Sequence, residues 1–221
     1  MQNFQSPAPI HAILQIPAGR IQFIAADRAD TTVEVRPADP GKGRDVKAAE
    51  QAIVEYADGV LHVRTAEPKN QYFGPTGSVE VTVQLPAGSR IEAKTASCEL
   101  RGVGRLGEVA FEGAYKQIKI DEASGLRLTA VDGDVEVGRL TGPAQISTAR
   151  GAIRITEATR GTVELRTGMG EITVGAATGS SASLDAQTGR GRINNALKND
   201  GTAVLEIHAA TGQGDVTARS L

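Results

Sequence analysis

The stretch LRLTAVDGDVEV, residues 126–137, decides the fold of this 221-residue chain. Apolar and polar residues alternate on both of its flanks, and a glycine separates the flanks. Such alternation is typical of a β-strand with one buried face. The same phrase recurs four times after it and, in degenerate form, twice before it: AQISTARGAIRI (144–155), VELRTGMGEITV (163–174), LDAQTGRGRINN (184–195), IHAATGQGDVTA (207–218), IEAKTASCELRG (91–102) and VAFEGAYKQIKI (109–120).

Each repeat can be aligned on one corner residue, and the corners follow one another at 18, 17, 18, 19, 21 and 23 residues. A period near twenty is typical of stacked repeats, because a single unit cannot bury its apolar side alone. Glycine at a corner indicates positive φ or a close backbone approach. The corners are Cys98, Lys116, Gly133, Gly151, Gly170, Gly191 and Gly214, so the first two are expected to turn differently.

Three columns of this alignment are apolar in all seven repeats, at seven and five positions before the corner and two positions after it. Identical columns predict that equivalent strands of successive repeats lie side by side, about 4.8 Å apart. The predicted fold is therefore all-β: a parallel β-solenoid (a single-stranded β-helix) of about seven short coils. The crossover rule for parallel strands favours a right-handed coil.

A threonine stands three positions before the corner in five of the seven repeats. One interpretation is an array that faces a ligand or ice, but an ice-binding face needs regular coils and these drift in length. We therefore expect a stacked hydroxyl ladder, or a small residue that fits a tight bend. The five residues are Thr95, Thr148, Thr167, Thr188 and Thr211.

The N-terminal third departs from the repeat, and residues 1–77 are predicted to form an irregular, β-rich cap region. A short helix is expected near 45–52, where Asp45 can cap it, and it should cover an end or edge of the sheet. Asp58-Gly59 predicts a β-hairpin. Because no linker of Ser/Pro/Gly composition divides the chain, residues 1–221 are predicted to be one continuous domain, with the solenoid repeats over 78–221.

Composition narrows the classes of function. The formal net charge is −2 and the pI is near 6.0, which argues against a general nucleic-acid binder. Aromatic residues make up 3% of the chain, which suits narrow coils filled by aliphatic side chains. Cys98 is the single cysteine and is interpreted as structural. The three histidines are far apart in sequence, so neither a metal site nor a cofactor is predicted.

The location of the protein is predicted from two features that the sequence lacks. The N-terminus shows no basic region followed by an apolar run, and no stretch approaches 18 apolar residues. We expect a cytoplasmic protein without a membrane span. Cell-surface association stays open if a leader or anchor was removed.

Two groups of residues are candidate contacts for a partner. Tyr72 and Phe73 are adjacent aromatic residues in the long loop 65–77, although they could instead seal the end of the solenoid. Arg150, Arg190 and Arg192 are expected at the corner edge, where they could approach one another and hold an anion, or simply be solvated.

Several residues resemble a known family. They are the opening strand VTVQLPAG at 81–88, Ile91, and the Thr-x-x-Gly-x-Ile/Val copies that begin at Thr148, Thr167, Thr188 and Thr211. On these residues the chain resembles the bacterial putative-adhesin family of β-strand-repeat proteins, a domain of unknown function of actinobacterial type. The resemblance covers nearly the whole chain. It implies the solenoid fold and no catalytic residues.

Three functions follow from these observations as hypotheses. The first is a non-enzymatic, adhesin-like solenoid that binds or scaffolds an unknown protein or glycan, since no reactive cluster converges in the sequence. The second is a self-assembling structural protein, a homo-oligomer that stacks through the open sheet edges at the solenoid ends. The third is a carbohydrate-active β-helix enzyme, which would need converging carboxylates.

Overall fold

The computed structural model describes residues 1–65, 77–113 and 117–221. In these ranges the regular elements are one short helix, α1 (Gly43–Glu50), and a series of β-strands. The strands are β1 (Gln2–Gln5), β2 (His11–Gln15), β3 (Ala18–Ala26), β4 (Asp30–Pro37), β5 (Ile53–Ala57), β6 (Val60–Arg64), β7 (Val79–Pro86), β8 (Arg90–Lys94), β9 (Ser97–Glu112), β10 (Ile118–Asp132), β11 (Val135–Leu140), β12 (Ala144–Arg150), β13 (Ile153–Ala158), β14 (Gly161–Met169), β15 (Ile172–Ala176), β16 (Ala182–Arg190), β17 (Ile193–Ala196), β18 (Leu205–Gln213) and β19 (Val216–Ser220).

Parallel strands stack in two rows, one on each side of the corner. The first row, face A, runs β6, β2, β8, the second half of β9, the second half of β10, β12, β14, β18 and β16. The second row, face B, runs β7, β3, the first halves of β9 and β10, β11, β13, β15, β19 and β17. The predicted all-β fold and the parallel stacking of equivalent columns are confirmed, whereas the right-handed coil and the number of coils stay predictions.

The register along each row is the one that the alignment of repeats predicts. Leu126 lies beside Ala144, which lies beside Val163, and the equivalent residues after the corner pair in the same way. The inward columns of both faces share one continuous apolar core. Burying each of these aliphatic side chains contributes about 1.5–3 kcal/mol relative to leaving it in water. Central members with at most 1% exposure are Leu128, Ile146, Leu165, Val135, Ile153 and Ile172.

The order of the strands differs from the order of the sequence at both ends of the stack. The last strand pair, β18 and β19, lies between β14–β15 and β16–β17, and β2–β3 lies between β6–β7 and β8–β9. The expectation that successive repeats are neighbours is therefore wrong for the repeats at 163–174 and 184–195, which β18 and β19 separate. The longer connection at 197–204 lets the chain step back over β16 and β17, so the last strand pair is inserted into the stack rather than added to its end.

Residues 11–26 are more regular than the predicted cap over residues 1–77. Gly19 pairs with Cys98 and occupies the corner position of a coil formed by β2 and β3. A side-chain Cβ at Gly19 would lie 1.8 Å from the carbonyl oxygen of Val79, so this corner requires glycine as the later corners do. The regular stacking thus begins with β2. One domain over residues 1–221 stays a prediction.

The N-terminal end of the stack is closed by antiparallel strands. β5 pairs with β6 across a hairpin in which Asp58 and Gly59 both have positive φ, as a type I′ turn requires. On face B, β4 pairs with β7, and β1 pairs with β4. Phe4 of β1 and Tyr56 of β5 stack with their ring centroids 5.2 Å apart, which joins the two faces over the end of the core.

The predicted short helix is confirmed, and α1 packs against β4 and β7 near the N-terminal end of the stack. Asp45 has a different role from the predicted cap, because the N-cap residue is Lys42 and makes no side-chain cap bond. Asp45 is buried in the first turn and accepts a hydrogen bond of 2.9 Å from the backbone N–H of Ser78. Its carboxylate therefore ties the helix to the start of β7.

The corner after β10, β12, β14, β18 and β16 is a file of glycines in positive φ, between 133° and 157°. A Cβ at Gly170 would lie 2.0 Å from the carbonyl oxygen of Gly151, and the same collision recurs at Gly214 and Gly191. Backbone hydrogen bonds cross this file, with the Gly151 N–H donating to Met169 at 2.8 Å. The corners therefore stack at backbone contact, with no room for a side chain.

The threonine column forms hydrogen bonds to the same corner. The hydroxyl of Thr167 donates to the carbonyl of Gly151 at 3.0 Å, and that of Thr211 donates to Gly170 at 2.9 Å. Both side chains are 5% exposed, so they face the bend rather than a ligand in solvent. The expected hydroxyl ladder at a tight bend is confirmed for these two residues.

We predict that Gly170→Ala destabilises the fold by about 3 kcal/mol, because it adds both a positive-φ penalty and a collision with backbone. Gly179→Ala is the matched control, since Gly179 has φ of 80° but no atom within 4 Å of the place that a Cβ would occupy. The control should cost only about 1 kcal/mol. Equal losses of the free energy of unfolding in urea would contradict the role of the glycine file.

We also predict that the stability contributed by Asp30 at the N-terminal end is lost in acid. Hydrogen bonds from the Arg28 guanidinium (2.8 and 2.9 Å), and a further one from the Asn3 amide (2.9 Å), lower the pKa of Asp30. A lowered folded-state pKa stabilises the fold above the unfolded value, near 3.9, and this contribution is lost as the pH falls through the folded pKa.

The test measures Tm against pH for Asp30→Asn and for wild type. The deficit of Asp30→Asn should be full at neutral pH and should shrink below about pH 4. Asp27→Asn is the control, because the Asp27 side chain is 98% exposed. A deficit for Asp30→Asn that does not change with pH would show that this carboxylate is not the cause.

Candidate functional site

A groove of about 520 Å³ crosses the outer surface of face A. It spans six neighbouring strands, β2, β8, β9, β10, β12 and β14, so its length is about 24 Å. Two rows of outward side chains line it, because outward residues of a strand recur at every second position. The first row is His11, Arg90, Glu108, Gly125, Pro143 and Thr162, and the second is Glu92, Ala110, Arg127, Gln145 and Glu164.

Small residues produce the depression in this surface. Ala110 and Gly125 stand at the middle of the two rows, between longer side chains on the neighbouring strands. In-register stacking places each outward residue directly beside its equivalent in the next coil, so a missing side chain leaves a gap in the row. The groove is therefore a consequence of local sequence on a uniform backbone.

Charged groups of both signs lie at the N-terminal half of the groove. Arg90 contacts Glu108 on the next coil, and the Nε2 atom of His11 lies 3.8 Å from a Glu92 carboxylate oxygen. These pairs are exposed, so each contributes little to stability. They set a pattern of donors and acceptors on the wall of the groove.

The other half of the groove carries polar groups that are free to bind. Arg127, Gln145 and Glu164 follow one another on β10, β12 and β14, at successive spacings of about 4.8 Å. None of the three has a hydrogen bond or ion pair with another residue in the described ranges. They offer a guanidinium, an amide and a carboxylate in a line across the strands.

The groove does not present the carboxylate geometry of a glycoside hydrolase. Glu92 and Glu164 lie four strands apart, about 19 Å, which exceeds the separation that either hydrolytic mechanism uses. Glu92 and Glu108 lie on adjacent strands, but their side chains are 46% and 65% exposed beside His11 and Arg90. Neither occupies the apolar pocket that a general acid needs.

A metal site is not formed by the described part of the chain, where no three His, Cys, Asp or Glu side chains come together. His11, His62 and His208 lie on separate strands, as their sequence spacing suggests. Cys98 is fully buried, and its thiol donates to the carbonyl of Ile16 at 3.3 Å. That contact agrees with the structural role predicted for it.

The predicted arginine group shares one corner edge without converging. Arg150 and Arg190 belong to one row, separated by Met169 and Gln213, so they are about 14 Å apart. Arg150 pairs with Asp132 at 2.8 Å. These two arginines therefore do not approach each other, because β18 and β14 lie between their strands.

Arg192 makes a local contact with Asp215 at 3.1 Å, on the neighbouring coil. The Arg192 backbone N–H and guanidinium hold the pKa of Asp215 below its ordinary value. Whether Arg150, Arg190 and Arg192 contact a partner stays a prediction. Tyr72 and Phe73, the other predicted contacts, lie outside the described residues.

The sequence does not predict the groove, although the residues of its second row occupy one column of the repeat. The column six positions before the corner reads as a solvated face of mixed sign, and it includes Arg127, Gln145 and Glu164. The signal lies in the column two positions earlier, where Gly125 and Pro143 replace long side chains. Only the register between strands shows that Gly125 lies on the strand next to the one that carries Ala110.

Comparison with solved structures finds chains of similar fold. A chain named a putative adhesin, from Bacteroides fragilis, has a TM-score of 0.52 and 15% identity, with 98% of this chain and 95% of that chain covered. A putative cell adhesion protein from Clostridium sporogenes has a TM-score of 0.39, 13% identity and coverage of 100% and 98%. A putative adhesin from Parabacteroides distasonis has a TM-score of 0.40, 14% identity and coverage of 100% and 95%.

Of these three, the Bacteroides fragilis chain has a TM-score above 0.5 and supports the fold. No curated protein matches the chain. Within the described ranges, no helix has the length and apolar character needed to cross a membrane. A family model described as Toastrack DUF4097 matches residues 14–220, from the first regular coil to the last strand. The chain is therefore a member of the Toastrack DUF4097 family.

Proposed function

We propose that the protein is a non-enzymatic, adhesin-like solenoid that binds an extended macromolecule along the groove on face A. The observation that carries this proposal is the line of Arg127, Gln145 and Glu164, unpaired within the described ranges and evenly spaced across three strands. A rigid parallel stack holds such groups at fixed intervals without ordering a loop. The name of the Bacteroides fragilis structure, a putative adhesin, supports binding rather than catalysis.

The partner is proposed to be a glycan or an extended protein segment. A polar groove of mixed charge matches a chain with alternating donors and acceptors better than a polyanion, which agrees with the predicted absence of nucleic-acid binding. The exposed carboxylates lack the pocket of a catalytic acid, so we propose no hydrolysis of the bound chain.

The test begins with arrays of polysaccharide fragments and of extended peptides, followed by titration of the strongest ligand. Arg127→Ala should weaken its binding about tenfold, because one charged hydrogen bond is lost. Arg154→Ala is the matched control: Arg154 is also exposed, without an ion pair among the described residues, but it points outward from face B.

Three results would overturn the proposal. They are the failure of every probe to bind, an equal loss of affinity in both arginine variants, and the appearance of cleaved product during the titration. Circular dichroism and Tm should be unchanged in both variants, since neither side chain contacts the core.

A second candidate function is self-assembly through the solenoid ends, and one observation favours it. Among the described strands, β16 has the single neighbour β18 and β17 has the single neighbour β19. These strands therefore form an open edge at the C-terminal end of the stack. Such an edge is a ready template for strand addition.

A further inference from the structure

The open edge formed by β16 and β17 keeps the apolar column of the repeat at positions that solvent reaches. Ile193 is 46% exposed, whereas its column neighbours Val216 and Ile172 are at most 1% exposed. Leu184 and Ala186 of β16 also occupy inward positions and are only partly buried. The inward column therefore stays apolar up to the last strands of the stack, although no further coil covers it there. An exposed apolar end of this kind is typical of a contact surface.

The strand edge itself is long and unguarded. β16 has nine residues, and the segment 182–196 contains neither lysine nor proline, the residues that commonly block strand addition. The following loop covers only its start, where the Ala182 N–H donates to the carbonyl of Lys198 at 2.9 Å. The remaining length of β16 is therefore available for backbone pairing.

The opposite end of the stack is constructed differently. Its outer strands β1 and β5 have four and five residues, and the stacked rings of Phe4 and Tyr56 cover the core between them. Helix α1 packs beside them on β4 and β7. The two ends are therefore unlike, and repeated head-to-tail stacking would join a long exposed edge to a short closed one.

We propose that the open edge binds a second copy of this chain, in a closed two-fold dimer with β16 antiparallel to β16 of its partner. In a two-fold contact the same patch faces itself, so the surface must be self-complementary. Pairing centred on Gln187 places Leu184 and Ala186 on the same side of the joined sheet as the inward residues of the other copy, so the apolar column continues across the contact.

The size of the end is adequate for such a dimer. The nine residues of β16 span about 30 Å, and the two faces of a coil lie about 10 Å apart before their side chains are added. The contact would bury about 600 Å² on each copy, near the low end of stable interfaces. Backbone hydrogen bonds along the edge supplement this area.

The test measures the mass of the purified full chain in solution over a series of concentrations. The expected mass is twice 23.0 kDa, and Ile193→Lys should return it to that of one chain. Ile53→Lys is the matched control, because Ile53 is 44% exposed at the opposite end, and this variant should remain dimeric. A monomer at the highest concentration, or filaments that grow with concentration, would overturn the dimer. Loss of the dimer in Ile53→Lys alone would also overturn it.

The dimer does not depend on the proposed groove function. Arg127→Ala, in the groove, should leave the mass unchanged, and Ile193→Lys should leave ligand binding to one groove unchanged. The two proposals can therefore fail separately.

Discussion

The glycine file at the corner is the constraint on which the rest of the structure depends. Each glycine carbonyl lies where the next glycine would carry a Cβ, at 2.0–2.2 Å from Gly133 to Gly191. Coils that stack at this distance have no freedom to slide, so every column before and after the corner is held in register. The inward columns can then be continuous apolar rows, and the threonine hydroxyls meet the corner carbonyls. Replacing one corner glycine would disturb two coils, because the side chain meets the backbone of its neighbour.

This constraint explains which features the sequence predicts. Period-two alternation assigns each residue to an inward or outward side, and the corner aligns the copies, so Leu126 beside Ala144 beside Val163 follows from spacing alone. The order of coils does not follow. β18 would satisfy the same columns at the end of the stack, beyond β16, or between β14 and β16, and only the path of the 197–204 connection decides between the two positions. The groove is likewise hidden in the sequence, because it depends on which small residues become neighbours across strands.

A stack of identical coils must end, and the chain ends it in two ways. At the N-terminal end, antiparallel β5 and β4 reverse the strand direction, and an aromatic pair covers the core. At the C-terminal end, insertion of β19 between β15 and β17 protects the terminus but moves an earlier strand pair to the edge. The apolar identity of Ile193 is retained there although the position is half exposed. A site that needed only solubility would tolerate a charged residue, so the retained column indicates a contact.

The two surfaces on which function is proposed do not overlap. The groove ends at β14, and β18 separates β14 from β16 at the open edge. A partner chain at the edge would therefore leave both grooves accessible, on one elongated body. Two weak contacts to a repetitive polymer would then act together, because the second binding step becomes intramolecular once the first has formed. Since exposed polar contacts contribute little singly, this arrangement would give the proposed adhesin-like solenoid useful affinity without a deep pocket.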